Sequence, residues 1–272
     1  MSFVFDIAAV KQECEEFFSL YNIMDDKTLE MCTRKKIHTR AVADSCRFIA
    51  EYLELTPYDC DLAFVIGELH DFARFGQAAV TRSFKDTDRY NHAKMAVRLL
   101  FTHRLIEDII PDYAKLPVDD RLVLEKAIYH HSDLSLPRGL TEREKLFCNI
   151  IREADRIDIF RTVSENRWET IYGCDRNTVY ASVISEDVLS AFENRRLVNY
   201  SKCKTVADRH LGHIALCFGL KSRAAIKRAV EQGYLFKLLD GRFSDRLTQK
   251  RFERAAESVR AYCLSGNEKN QE

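Results

Sequence analysis

The stretch GELHDFARFGQ (residues 67–77) sets a histidine and an aspartate side by side, where an apolar helical segment gives way to two aromatics and a glycine. Two metal-capable side chains at the end of a segment otherwise built for a core are either a capped helix end or half of a metal site. The flanking sequence is helical in pattern. Apolar residues recur at three- and four-residue spacing over 8–20, 36–53, 59–69, 92–101, 120–130, 142–160 and 208–239, and strict alternation over a strand length is absent. Nine glycines and four prolines leave few places for tight hairpins. Thr56-Pro57 supplies an N-cap followed by proline at the first helical position, and Thr141-Glu142-Arg143-Glu144 is a capping box. Polar, turn-rich connections span 83–91 and 132–139. These features predict an all-α fold: a helical bundle over 1–165 and a helical C-terminal region, 166–272, packed on it.

Composition narrows the function classes. At 46% hydrophobic residues in 272, the chain can bury a full core. Forty-two basic residues balance forty-two acidic ones, so no global field recruits nucleic acid, and an anionic substrate must be held by a local cluster. The nine cysteines are scattered and form no C-x-x-C pair, which reads as reduced thiols, neither a zinc knuckle nor a disulfide framework. Acidic residues fall too early in MSFVFDIAAVKQECEEF for a signal peptide, and no stretch is apolar enough to span a bilayer. The expectation is a cytoplasmic protein with neither nucleic-acid nor membrane partners.

Among the histidines, His103 reads as a surface residue. His210 and His213 form an i, i+3 pair with only Asp208 as a nearby carboxylate, and they too read as structural. His38 differs, because it lies within the apolar periodicity of KKIHTRAVADSCRFIA, on one side with Val42, Ser45, Cys46 and Ile49. An imidazole there needs a buried partner. Asp155 follows the core face of Phe147, Ile150, Ile151 and Ala154, and a carboxylate buried there requires something positive opposite. One divalent metal held by His38, His70, Asp71 and Asp155 answers all four anomalies. Imidazole nitrogen with carboxylate oxygen suits Fe, Mn, Zn, Co or Ni.

A histidine, then an adjacent His-Asp, then a distant aspartate, each on its own helix, resembles the HD-domain superfamily of metal-dependent phosphohydrolases. IHTRAVAD at His38, GELHDFARFGQ at His70-Asp71 and READRIDIF at Asp155 carry the likeness, over roughly residues 30–165. The resemblance implies an all-α bundle cupping the metal between helices, with those four side chains as ligands. It further implies a second ion held by His92 and His130 with Asp71 bridging, and His131 turned to substrate or solvent. HHSDLSLPRGL (residues 130–140) lacks the Gly-Tyr-Pro signature of cyclic-di-GMP phosphodiesterases, and HDFARF lacks the Glu-Asp pair of guanosine-tetraphosphate hydrolases.

The activity implied by the likeness is hydrolysis of a nucleotide or other small phosphoester by a metal-activated water. Arg74 is the leading candidate to grip the phosphate, ahead of Lys35, Lys36, Arg40 and Arg156, since an arginine fork pairs with phosphate oxygens. Asp71, His131, Glu68 or Asp158 takes the proton. Phe72, Phe75 and Phe84 stack on a base or line the core. The alternatives are a di-iron oxygenase using the same ligands and a non-catalytic signalling module.

Overall fold

Every regular element among the described residues of the computed structural model, 3–21 and 24–268, is helical; the sole extended feature there is a bridge between Thr87 and Tyr90. Helix α1 (Ile7–Ser19) begins at Asp6, whose carboxylate accepts from the Ala9 N–H. Asp25 caps α2 (Asp26–Tyr52) in the same way, and Thr56 caps α3 (Pro57–Leu69), with Pro57 in its first turn. Then come α4 (Arg74–Thr81), α5 (His92–Val97) running into a π-turn at Arg98–Thr102, α6 (Ile106–Ile109), α7 (Val118–His130) and α8 (Glu142–Glu165). The capping box read from the sequence opens α8: the Thr141 N–H donates to Glu144 Oε2, and the Glu144 N–H to Thr141 Oγ1. No described helix is long and apolar enough to cross a membrane.

The chain divides into two compact units, residues 1–155 and 156–272. The sequence pattern places this boundary at 165, where the strong helical periodicity fades. The division instead falls inside α8, which continues unbroken with Ile151 and Ala154 buried before it and Ile157, Phe160 and Val163 buried after it. Hydrophobic periodicity reports that a helix is buried and is blind to a change in what buries it.

The first unit is organised by the contact of α2 with α3. A Cβ added at Gly67 would lie 2.5 Å from Ala43 Cα and 2.9 Å from Ala43 N, so the two helices touch backbone to backbone at this point. On the far side of α3 the chain leaves through Phe72 and Phe75. Both are buried, stacked on Phe17 and Phe18 of α1 with ring centroids 3.9 Å apart in each pair. These aromatics are core, and they pin the turn that carries His70 and Asp71.

In the second unit, α9 (Trp168–Tyr172), α10 (Arg176–Ala181), α11 (Glu186–Glu193) and α12 (Val206–Ile214) are followed by a 3₁₀ turn at Ala215–Gly219, then α13 (Arg223–Gln232), α14 (Tyr234–Lys237) and α15 (Arg246–Glu268). The apolar window 208–239 is thus three helices and a turn, broken near Gly219 and at Gly233, whose φ of +71° ends α13. Asp208 is wholly buried and accepts from the backbone N–H of Ser185, Lys204 and Thr205 and from the Ser185 hydroxyl, so it ties two helix starts together. His210 and His213 share the Tyr172 hydroxyl, 3.1 and 3.0 Å from their Nδ1 atoms. One hydroxyl proton serves one of them, and the other donates to the phenol oxygen.

Gly67→Ala should cost about 1–3 kcal/mol through overpacking, read from urea midpoints, because the obstructing atoms are backbone. Burial pushes His210 and His213 down from 6.5 to about 3 and about 4. Below pH 6.5 the unfolded chain therefore binds protons that the folded chain refuses, and stability rises with pH over that window. Each histidine contributes a slope of up to about 1.4 kcal/mol per pH unit. His213→Gln should flatten the dependence of the urea midpoint on pH between about 4 and 6.5, with little change above neutrality.

Candidate metal centre

Five helices and their ends deliver the cluster, all within the first unit. His38 comes from the middle of α2, His70 caps the C-terminus of α3, and Asp71 lies in the turn beyond it. His92 opens α5, His131 caps α7, and Asp155 lies on α8. His38, His70, Asp71, His92 and His131 are buried, whereas the Asp155 side chain keeps 22% of its surface exposed.

Asp71 stands between two sets of imidazoles. Its Oδ2 is 3.2 Å from His70 Nε2 and 3.6 Å from His38 Nε2, and His38 Nε2 lies 3.2 Å from Asp155 Oδ1. Its Oδ1 faces the other way, 3.5 Å from His92 Nε2 and 3.7 Å from His131 Nε2. His38, His70 and Asp71 form one group of ligand atoms mutually within 4.8 Å, and Asp71, His92 and His131 form another. These buried groups are able to hold a metal ion.

The hydrogen bonds behind the imidazoles decide which nitrogen points inward. His70 Nδ1 is 2.7 Å from the Gly67 carbonyl, His131 Nδ1 is 2.7 Å from the Ile128 carbonyl, and His92 Nδ1 is 2.6 Å from Asp86 Oδ2. Each partner only accepts, so each Nδ1 carries a proton and Nε2 is the nitrogen that faces Asp71. His92 Nε2 and His131 Nε2 lie 2.9 Å apart, at hydrogen-bonding distance. His70 Nε2 and Asp71 Oδ1 are buried without a hydrogen-bond partner. Burial and the neighbouring His70 and His92 push His131 down to about 3, so it is neutral at pH 7. A buried ring nitrogen and a carboxylate oxygen left without partners around one aspartate are what a cation relieves, and the residues present fit one.

The carboxylates are ionised. Desolvation opposes charge on Asp71, but Lys35, His70 and His38 outweigh it and hold the carboxyl well below the usual range. Desolvation likewise opposes Asp155, and His38 and His70 keep it low.

His130, expected as a ligand, turns away: its Nδ1 lies 2.7 Å from Asp133 Oδ2. His131 takes the inward place, because successive helical residues are rotated by about 100° and α7 buries Leu124, Ala127 and Ile128. His131 lies seven, four and three residues beyond these, on the same face, and that spacing is readable in the sequence. Arg152 of α8 donates to the Asp133 and Leu134 carbonyls, fastening the loop beyond.

Arg74 is not presented to solvent as a phosphate fork. Its Nη1 donates to Gln77 Oε1, the Phe84 carbonyl and Asp86 Oδ1 at 2.6–2.9 Å. It thereby holds the loop that aims Asp86 at His92. Asp86 escapes sequence reasoning, since a carboxylate in a polar loop carries no periodicity. Glu68 is wholly buried but paired with Arg40, Nη1 to Oε1 at 2.7 Å, and Asp158 with Arg161. Lys36 pairs with Glu15, and Arg156 donates to the Gly219 carbonyl.

Compared with protein-family models, curated proteins and solved structures, the chain matches none.

His131→Ala should weaken Mn²⁺ binding by at least about tenfold, as loss of a metal ligand or of the group orienting one does. His130→Ala should leave it unchanged. Calorimetric titration of both variants against wild type checks this, and the reverse order of effects would restore His130 as the ligand.

Proposed function

We propose that the chain is a metal-dependent phosphohydrolase of the HD-domain type, acting on a nucleotide or other small phosphoester. The observation that carries this reading is Asp71, a single buried carboxylate whose two oxygens face separate pairs of imidazoles. His38, His70, Asp71 and Asp155 would hold one divalent transition-metal ion, and Asp71, His92 and His131 a second. Ions so placed supply Lewis acidity and a lowered water pKa, the chemistry that cleavage of a phosphate ester requires.

The chain's own residues prepare that chemistry. The Gly67 and Ile128 carbonyls and Asp86 fix the ring orientations, so the imidazoles arrive preorganised. Arg74 is a positioning residue that acts through Asp86. Desolvation and His92 with Arg74 act in opposition on Asp86, and the pairing wins, keeping it an anion able to accept from His92. Glu68 and Asp158 are engaged by arginines, which leaves Asp71 and Asp155 as the carboxylates of the cluster. A substrate would approach from the side of Asp155, the partly exposed carboxylate of the cluster.

Protein purified without oxygen and supplied with Mn²⁺ or Fe²⁺ should release phosphate from a panel of phosphoesters. Asp71→Ala should lower that rate by about a hundred- to a thousandfold, the range seen when an electrostatic element of an active site is removed, with helical circular dichroism unchanged. Oxygen uptake without phosphate release would replace this reading with the oxygenase. An Asp71→Ala variant turning over at the wild-type rate would end both.

A further inference from the structure

We propose that Lys35 receives the phosphate of the substrate, and that the substrate class is a phosphomonoester; this rests on the phosphohydrolase reading above. Lys35 precedes His38 by three residues and so shares its face of α2. Its Nζ donates to Asp71 Oδ2 at 2.6 Å, and no other acceptor contacts it among the described residues. The ammonium also lies 5.3 Å from the centre of the Phe84 ring, which flanks it and limits its swing.

The oxygen that Lys35 uses is the oxygen directed at His38 and His70. Asp71 Oδ2 therefore serves two competing positive charges. When a cation occupies the His38, His70 and Asp155 side, it draws on that oxygen and repels the ammonium. Lys35 is then a charge on a side chain only 15% exposed, and an unpaired ammonium in such surroundings is costly. An arriving anion removes that cost.

The neighbouring cations have other partners. Arg74 Nη1 is shared among three oxygens, Lys36 and Arg40 pair with Glu15 and Glu68, and Arg152 holds two loop carbonyls. Arg74 Nε also lies 3.5 Å from Asp71 Oδ1, but Lys35 is the cation that hydrogen-bonds Asp71, on the oxygen directed at His38 and His70. A lone ammonium acts as a point charge with three donors, unlike a guanidinium fork. It favours the terminal, doubly charged phosphate of a monoester over the single charge of an internal diester.

The test uses inorganic phosphate as the probe and the full chain loaded with Mn²⁺. Wild type, Lys35→Met and Lys35→Arg are titrated with phosphate by calorimetry, and bound manganese is read separately by atomic emission. The expected result is equal manganese in all three, phosphate affinity weakened by at least about tenfold in Lys35→Met, and recovery of most of it in Lys35→Arg. Equal phosphate affinity in wild type and Lys35→Met would overturn the proposal, and so would loss of manganese from Lys35→Met, which would make Lys35 a support of the cluster. A measurement on wild type alone guards against misfolding of the variants. Phosphate should slow acetylation of Lys35 in the Mn²⁺-loaded protein while leaving Lys145 unaffected, and equal rates at Lys35 with and without phosphate would also overturn it. Hydrolysis is scored independently: turnover of diesters but of no monoester would overturn the monoester class and keep the phosphohydrolase, whereas Lys35-dependent phosphate binding without turnover of any phosphoester would keep the anion site and reject the phosphohydrolase.

Discussion

The backbone contact between α2 and α3 at Gly67 and Ala43 is the constraint on which the rest of the first unit depends. A side chain at 67 would meet main-chain atoms that cannot move aside, so the missing Cβ sets how near the helices come. That separation brings His38 of α2 to His70 at the end of α3, with ring centroids 5.4 Å apart. The Gly67 carbonyl also accepts the His70 Nδ1 proton, so one residue governs both the approach of the helices and the tautomer of the ligand. Stacking of Phe72 and Phe75 on Phe17 and Phe18 locks the adjoining turn, which leaves Asp71 little freedom between the two imidazole sets.

Charge explains why so polar a cluster survives inside an apolar bundle. Two buried carboxylates alone would be driven to their neutral form. Lys35 and the surrounding imidazoles reverse that, and the same oxygen that satisfies Lys35 is the one offered to a cation. The arrangement is incomplete, with His70 Nε2 and Asp71 Oδ1 buried without a hydrogen bond. The second unit handles its buried polar groups differently: Asp208 is saturated by backbone donors and the Tyr172 hydroxyl serves two histidines, an inward-looking network.

Where sequence reasoning and the structure part, the cause is local in each case. His130 and His131 are adjacent, and resemblance favours the first; the burial of Leu124, Ala127 and Ile128 puts the second on the inner face. Arg74 has the place of a phosphate fork, one turn beyond Asp71, yet the 83–91 loop folds back and claims its Nη1. The unit boundary lies within α8, where the buried apolar spacing runs on without a break.

The sequence by itself determined the helical class, the starts of α3 and α8, and the anomaly of His38, His70, Asp71 and Asp155 on apolar faces. Those are properties of spacing and of capping chemistry, written within a few turns of chain. Only the tertiary structure decided that Asp71 faces two imidazole sets, that Asp86 pairs with His92, and that Lys35 meets Asp71 while the 83–91 loop takes Arg74 Nη1. Each of these depends on distances between residues as far apart as Lys35 and Asp71, or Asp71 and His131. Side-chain direction across such separations is set by packing, which no local periodicity records.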